Sequence, residues 1–255
     1  MAMQHFRGFD GAELAVAEIG AGRPIILLHG LFSSGEMNWR RYGAAAEIAS
    51  AGYRVIMPDF RAHGQSAAPH DRQAYPTDVL ALDIEALIAQ LGLSDFDIAG
   101  YSMGARTLAR LLARAQETGG SRPGKAILSG MGLEGLTGGA ERAAFFRSVL
   151  RQPDGWPAGS RESFVAAFMQ QNKTNTTAVG LLLDSFVSTP IDVLRRLETR
   201  CLILCGVDDR DNGSAPALAL ELPNAALVEI PGNHMSAVTK PDFGTAIAAW
   251  LGHPI

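Results

Sequence analysis

The chain has 255 residues, of which 47% are hydrophobic, and it carries a formal net charge of −4 at pH 7. This length and composition support one sizeable buried core, and α/β domains of this size are commonly undivided. The weakly acidic balance and the scattered arginines exclude a basic nucleic-acid surface. No secretory signal is recognisable and no apolar stretch approaches the roughly 20 residues that cross a bilayer, so we expect a cytoplasmic protein without stable membrane insertion.

The predicted elements alternate between strands and helices from the start of the chain. Residues 5–19 alternate around Asp10-Gly11, a dipeptide typical of a hairpin turn, and predict an antiparallel edge hairpin. The continuous apolar run Pro24–Leu28 is typical of a central parallel strand that is covered on both faces. A helix over Trp39–Ser50 and a strand over Tyr53–Met57 follow.

This alternation continues to Ser129 and resumes after Glu198. Thr77 is expected to cap a helix that ends at Gly92. The other predicted elements are a strand at 95–99, a helix to about Gln116, strands at Lys125–Ser129, Leu202–Cys205 and Leu227–Ile230, and helices at 215–222 and 240–251. In the interval between, the pattern predicts helices alone, near 140–150, 161–171 and 175–187.

These elements predict an α/β fold with a mostly parallel, doubly wound sheet and an N-terminal antiparallel hairpin. Residues 1–131 and 199–255 are expected to form the core of the fold. Residues 132–198 are expected to form a helical cap or lid, inserted between two sheet strands where the loops at the carboxyl ends of the strands gather.

The segment Gly100–Gly104 places a serine between two glycines, after a predicted strand and before a predicted helix. Glycines remove the Cβ clashes that would block so tight a bend, which leaves the Ser102 hydroxyl exposed at its apex. Taken alone, these five residues fit a nucleophile and a helix-capping serine equally well.

Two more polar residues follow the carboxyl ends of predicted strands, Asp209 and His234. A serine hydroxyl needs an imidazole to accept its proton, and that imidazole needs a carboxylate to fix its tautomer and stabilise its charged form. The chain order serine, acid, histidine is the order that a nucleophile-elbow architecture imposes. The sequence therefore favours Ser102 as a nucleophile.

With these motifs the chain resembles the α/β-hydrolase superfamily over nearly its whole length, the helical insertion excepted. The motifs that carry the resemblance are Gly100–Gly104, His29-Gly30, the loop Asp59–Ser66, Gly206–Asp209 and Gly232–His234. The resemblance also implies that His29 and His63 hold loops together around the site.

The resemblance further implies an oxyanion hole and a particular acid. The backbone N–H groups of Leu31 and Met103 correspond to the oxyanion donors, which are rigid and need no reorganisation as charge develops. Similarity selects Asp209 as the carboxylate, with Asp208 and Glu134 as the remaining alternatives.

The function implied is that of a serine hydrolase that cleaves a carboxylic ester or a related acyl bond through an acyl-enzyme. Ser102 attacks, His234 acts as base and then as acid, and Asp209 orients His234. The expected partner is a small-molecule ester or acyl substrate, and the sequence makes no prediction of the oligomeric state. A serine nucleophile argues against the family's haloalkane dehalogenases and epoxide hydrolases, which attack with an aspartate.

No cofactor and no metal are expected. Cys201 and Cys205 lie too far apart along one strand for a disulfide, and no histidine or cysteine spacing is typical of metal ligands. Gly119–Lys125 has the glycine and lysine spacing of a phosphate-binding loop, but Ala126 replaces the hydroxyl residue and a strand follows instead of a helix.

Two questions stay open at this level. Carbon–carbon bond hydrolases, lactonases and perhydrolases use the same triad, and a non-enzymatic small-molecule receptor could retain it for ligand sensing. An apolar wall of the substrate pocket is predicted from the aromatic residues and a methionine, namely Phe32, Phe145, Phe146, Phe164, Phe168 and Met169.

Overall fold

The structure, a computed structural model, describes residues 3–152 and 154–252. Its strands are β1 (Gln4–Arg7), β2 (Glu13–Gly20), β3 (Arg23–Leu28), β4 (Tyr53–Pro58), β5 (Asp97–Tyr101), β6 (Lys125–Ser129), β7 (Arg200–Gly206) and β8 (Ala225–Ile230). Its α-helices are α1 (Ala44–Ser50), α2 (Val79–Gln90), α3 (Met103–Thr118), α4 (Leu133–Thr137), α5 (Ala140–Arg151), α6 (Arg161–Gln171), α7 (Thr176–Asp184), α8 (Ile191–Leu194), α9 (Ala215–Glu221) and α10 (Pro241–Leu251).

The strands form one sheet in the order β1-β2-β4-β3-β5-β6-β7-β8. The pairs β1–β2 and β2–β4 are antiparallel, and every pair from β4 to β8 is parallel. The predicted fold class, including the antiparallel edge hairpin, is confirmed. Since the chain passes from β3 outwards to β4 and then back to β5, the strand order reverses beside β3, and open α/β sheets bind ligands at such a point.

The central strands are covered on both faces, as their uninterrupted apolar sequence predicts. Alternate side chains of β3 point to opposite faces. Ile26 and Leu28 pack in the larger core cluster with α2, α3 and the inserted helices, while Ile25 and Leu27 pack in a smaller cluster with α1 and α10. Because these strands run parallel, their carboxyl ends lie at one edge of the sheet.

The chain departs from the predicted elements at two helix starts. The helix predicted over Trp39–Ser50 is divided, because Gly43 lies in the left-handed region with φ 89° and separates a π-helical turn at Glu36–Arg40 from α1. Thr77 does not cap α2, which follows Asp78 at φ 60°. The Asp78 carboxylate instead accepts hydrogen bonds of 2.8 and 2.7 Å from Arg110 on α3.

The strand before the serine also differs from its prediction, since β5 covers Asp97–Tyr101 rather than 95–99. Asp97 lies inside the sheet because its carboxylate accepts hydrogen bonds from Arg23 Nε at 2.7 Å and from the Lys125 backbone N–H at 2.9 Å. Because β5 ends at Tyr101, the strand leads directly into Ser102.

The segment between β6 and β7 contains α4 to α8, and no strand is assigned among its described residues, 132–152 and 154–198. Helices α5, α6 and α7 match the predicted positions, and α4 and α8 are short additions. Cys201 and Cys205 are both free and buried on β7, as predicted. Within the described residues, no helix is long and apolar enough to cross a membrane.

Two glycines allow α3 to approach the sheet closely. A Cβ built on Gly104 would lie 2.2 Å from the backbone oxygen of Leu28, and one built on Gly100 would lie 2.3 Å from the backbone oxygen of Gly104. Backbone atoms in a packed sheet cannot move away as a flexible side chain can. The turn around Ser102 therefore requires glycine at both positions.

We expect Gly104→Ala to destabilise the fold by about 3 kcal/mol, because the added methyl group overlaps the β3 backbone. Gly180→Ala is the matched control, since a Cβ there meets nothing within 4 Å and the residue lies inside α7. Alanine at Gly180 should stabilise by about 0.5–1 kcal/mol through helix propensity. Urea unfolding midpoints measure both changes, and equal midpoints for the two variants would contradict the close approach.

Candidate active site

Ser102 occupies a sharp bend between β5 and α3. Its backbone has φ 54° and ψ −111°, a conformation that non-glycine residues rarely adopt. Such a backbone conformation costs about 1–3 kcal/mol and persists only where the surroundings hold it. The Ser102 N–H donates to the Ser129 carbonyl at 2.9 Å, and the Arg106 N–H donates to the Ser102 carbonyl at 3.0 Å. The bend is thereby tied to the next strand and to the first turn of α3.

The structure brings Ser102, His234 and Asp209 into one hydrogen-bonded line. His234 Nε2 lies 3.0 Å from Ser102 Oγ, and His234 Nδ1 lies 2.8 Å from Asp209 Oδ2. The side chain of Asp209 can only accept when ionised, so Nδ1 carries the proton and Nε2 is free to accept the serine hydroxyl proton. His234 and Asp209 are only 7% and 4% exposed, which keeps water from competing for these bonds.

Asp209 is the candidate acid that reaches His234. Burial alone would raise the pKa of Asp209, but the hydrogen bond and the charge of His234 hold that pKa below its usual value. Asp208 is exposed on the neighbouring turn. Glu134 accepts a hydrogen bond from the Ser214 backbone N–H at 2.7 Å and so holds a loop instead.

Tyr101 supports His234 from behind, a role that the sequence pattern did not indicate. Its ring stacks on the imidazole with a centroid separation of 5.4 Å, and its hydroxyl donates to the His234 carbonyl oxygen. Burial raises the pKa of Tyr101 well above its usual value, so the hydroxyl stays a donor. The only signal of this role in the sequence is the position of Tyr101 directly before Ser102. A tyrosine at the end of a strand is equally well explained by packing.

Asp211 links the loop that carries Asp209 to the helical insertion, a role that the sequence pattern also did not indicate. Its backbone N–H donates to Asp209 Oδ1 at 3.0 Å. Its carbonyl oxygen accepts from Arg142 on α5 at 2.9 Å, and its carboxylate lies 3.8 Å from the guanidinium of Arg161 on α6. Two inserted helices therefore contact the residue that hydrogen-bonds the acid.

The residues of the predicted oxyanion donors, Leu31 and Met103, line the same cavity as Ser102. Met103 begins α3, so its N–H is one of the four at a helix start that have no partner within the helix. Leu31 follows Gly30, and the Gly30 N–H donates to Asn38 Oδ1 at 2.9 Å. A Cβ built on Gly30 would lie 3.6 Å from Ser102 Cβ, so this segment passes close to the serine. Both donors therefore belong to segments that are held close to the serine.

Two neutral histidines tie these segments to the loop after β4. His63 Nε2 accepts from the Phe32 N–H at 3.1 Å, and His29 Nε2 accepts from the Phe60 N–H at 2.9 Å. Burial lowers the pKa of His29 to about 4 and that of His63 to about 3. A protonated imidazole has no acceptor, so both bonds require the neutral form.

A cavity of about 460 Å³ opens onto Ser102. Leu31 and Met103 line it beside the serine, and most of the remaining wall comes from the helical insertion. Charged side chains contribute to this wall, namely Arg106, Glu134, Glu141, Arg142, Arg147, Asp184 and Asp211. The cavity has the size of small-molecule sites.

Of the six residues predicted to form an apolar pocket wall, the structure places one on the wall of this cavity. Phe146 lines the cavity, and Phe32 packs edge-on behind it with a centroid separation of 5.5 Å. Phe164 is 68% exposed, because α6 turns that face to solvent. The other three predicted residues belong to the larger core cluster or pack against it and are not on the cavity wall, namely Phe145, Phe168 and Met169.

No group of three or more histidine, cysteine, aspartate or glutamate side chains that could hold a metal ion is found in the part of the chain that the structure describes.

The comparisons with known proteins agree with this architecture. A family model for the alpha/beta hydrolase fold matches residues 23–181. The chain therefore belongs to the α/β-hydrolase family, which confirms the resemblance inferred from its motifs.

Individual relatives carry several activity names. The chain is 38% identical over 124 residues to a non-heme haloperoxidase from Rhodococcus erythropolis, covering 48% of this chain and 41% of the relative. It is 40% identical over 96 residues to an epoxide hydrolase from Caballeronia sordidicola, covering 38% and 28%. The matched segments thus span less than half the length of these curated relatives.

Solved structures resemble the whole fold at lower identity. An esterase from Exiguobacterium antarcticum superimposes with a TM-score of 0.77 at 20% identity, covering 99% of this chain and 100% of that one. A bromoperoxidase from Bacillus anthracis gives a TM-score of 0.72 at 23% identity, covering 99% and 100%. These likenesses show the shared fold.

We expect the free energy of unfolding to decrease as the pH falls below about 6.5, because His63 stays neutral in the folded chain until about pH 3 while the unfolded chain takes up a proton near its ordinary value of 6.5. Between pH 6.5 and pH 3, the titration of His63 changes the free energy of unfolding by at most about 1.4 kcal/mol per pH unit. Full stability is present above pH 6.5 and is lost progressively on acidification.

His63→Gln removes the titrating group and tests this directly. Between pH 7.5 and pH 5.5 the variant should lose about 1.4 kcal/mol less stability than the wild type, whatever its stability at pH 7.5. Urea unfolding at the two pH values measures the difference. An identical loss in both proteins would show that His63 does not couple stability to pH.

Proposed function

We propose that the chain is a serine hydrolase that cleaves a carboxylic ester through an acyl-enzyme. The observation that carries the proposal is the imidazole of His234, which is hydrogen-bonded to Ser102 Oγ at 3.0 Å and to Asp209 at 2.8 Å. A nucleophile, a base and a group that orients the base are the parts that acyl transfer through serine needs.

In the proposed first step, Ser102 Oγ attacks the ester carbonyl carbon while His234 Nε2 takes the hydroxyl proton. The carbonyl oxygen becomes negatively charged and accepts hydrogen bonds from the backbone N–H groups of Leu31 and Met103. The bond to the alcohol oxygen then breaks as the imidazolium returns its proton to the leaving alcohol. The acyl group stays on Ser102.

In the second step, water attacks the acyl-enzyme and His234 takes one of its protons. The bond to Ser102 Oγ breaks, the proton passes to the serine, and the carboxylic acid leaves. Asp209 stabilises the charged imidazole in both steps, which its pKa below the usual carboxyl value supports, because the carboxylate stays ionised at neutral pH. No cofactor enters either step.

Ester cleavage is preferred over epoxide hydrolysis, although the chain has relatives of both names. Residue 102 is a serine, and the family's epoxide hydrolases attack with an aspartate, so a serine there favours acyl chemistry. The cavity of about 460 Å³ supports a small-molecule substrate, and we propose that residues 132–198 form the lid that shapes it.

A perhydrolase is a second candidate, favoured by relatives named non-heme haloperoxidase and non-heme chloroperoxidase. The same acyl-enzyme would then be attacked by hydrogen peroxide in place of water. The bond to Ser102 Oγ would break and a peroxycarboxylic acid would leave. Both candidates share every step up to the acyl-enzyme.

Ser102→Ala should lower kcat for ester hydrolysis by a factor on the order of 10⁶, because no oxygen remains to form the acyl-enzyme. The measurement is the hydrolysis of 4-nitrophenyl esters of graded acyl length, with and without hydrogen peroxide. Peracid formation on addition of peroxide would favour the second candidate. Near-normal ester turnover by a folded Ser102→Ala protein would overturn the mechanism for both.

Asp209→Asn should lower kcat by roughly 10⁴-fold, because an amide favours the wrong tautomer of His234. Asp208→Asn is the matched control, since Asp208 is adjacent and exposed, and it should leave kcat nearly unchanged. Steady-state kinetics of the two variants on one ester decides between them. The reverse ranking would move the catalytic acid by one residue.

A further inference from the structure

Arg106 lies on the cavity wall one helical turn after Ser102. Its backbone N–H donates to the Ser102 carbonyl at 3.0 Å, and its side chain lines the cavity that opens onto the serine. Side chains on an α-helix lean towards its N-terminus. The side chain of Arg106 therefore leans towards the end of α3 that carries Ser102.

The guanidinium is held by neutral groups of the helical insertion. Its Nη1 donates to the backbone oxygens of Gly135 and Gly138, and its Nη2 donates to that of Val187 at 2.9 Å. The ring of Phe186 lies 5.8 Å from the guanidinium carbon. These contacts fix the position of the cation but supply no opposite charge.

Among the described residues, no carboxylate lies within 4.0 Å of the Arg106 guanidinium. The other two arginines of the cavity wall do have such partners, because Arg142 lies 3.5 Å from Asp211 and Arg147 lies 2.8 Å from Asp184. Burial lowers the pKa of Arg106, the charge of Arg110 lowers it further, and the attraction of Asp78 does not offset these two effects. A desolvated charge of this kind is costly until a counter-charge reaches it.

The remaining carboxylates on the cavity wall do not provide that counter-charge. Glu134 and Glu141 are exposed, where water and salt screen them, and Glu134 is turned to the Ser214 N–H at 2.7 Å. Each carboxylate of the cavity wall is therefore either paired with another arginine or exposed to solvent.

The geometry points to a substrate that carries a carboxylate a few bonds from its scissile carbonyl, with Arg106 as the residue that binds it. A guanidinium matches a carboxylate better than it matches a single oxygen, because its donors lie in one plane. This inference rests on the proposed ester hydrolysis and narrows its substrates to small half-esters of dicarboxylic acids, which a cavity of about 460 Å³ accommodates.

The test compares kcat/KM for mono-4-nitrophenyl glutarate with that for uncharged 4-nitrophenyl hexanoate, in the wild type, Arg106→Met and Arg110→Met. The ratio of the two values within each protein cancels any general loss of activity caused by a loosened lid. Arg106→Met should lower the ratio at least about tenfold, as expected for the loss of a charged hydrogen bond. Arg110 lies one turn further along α3, pairs with Asp78 and lies outside the cavity wall, so Arg110→Met should retain the wild-type ratio.

An unchanged ratio in Arg106→Met would overturn the inference.

A second measurement follows binding instead of catalysis, so it does not require the Arg106 variant to be active. Isothermal titration calorimetry of glutarate with Ser102→Ala and with Ser102→Ala/Arg106→Met should show at least about tenfold weaker binding to the double variant. Equal affinity of the two variants for glutarate would overturn the carboxylate site, even if the wild type hydrolyses esters. Weaker binding to the double variant would support the site, even if the wild type hydrolyses no ester.

Discussion

The fold depends on one close contact, the approach of the α3 backbone to β3 at Gly104. Because no side chain separates helix from strand there, the turn between β5 and α3 is too tight for an ordinary conformation, and Ser102 takes φ 54°. The strain at Ser102 holds its hydroxyl clear of the helix, at the edge where the parallel strands end. Everything else in the site, from the imidazole to the oxyanion segments, is arranged around that fixed oxygen.

The sequence predicted those parts of the site that local geometry determines. Ser102 follows β5 directly, and Asp209 and His234 lie a few residues after the ends of β7 and β8. Because parallel strands end at one edge of a sheet, the proximity of the three residues follows from strand order and short connections. The residues of the cavity wall could not be predicted from the sequence, because helical periodicity identifies an apolar face but does not show what packs against it. Phe164 is exposed for that reason, while Arg106, a charged residue on a core helix, lines the wall.

Two hydrogen bonds support His234 and Asp209 from residues outside the line that they form with Ser102. Tyr101 holds His234 through its carbonyl, and Asp211 holds Asp209 through a backbone N–H. None of these contacts has a sequence signature, because Tyr101 is also an ordinary strand residue and Asp211 lies among other aspartates. Only their three-dimensional arrangement distinguishes them from packing and solvated loop residues.

The helical insertion leaves the sheet at the end of β6 and returns to it at the start of β7, and these strands are neighbours in the sheet. Its two ends are thus set by backbone pairing that does not involve the inserted helices. The inserted helices nevertheless share the larger core cluster with α2, α3 and β3, so any segment that replaced residues 132–198 would have to preserve that packing. It would also have to reproduce the contacts that Asp211 and Arg106 make with the insertion, because these join the inserted helices to the loop of Asp209 and to α3.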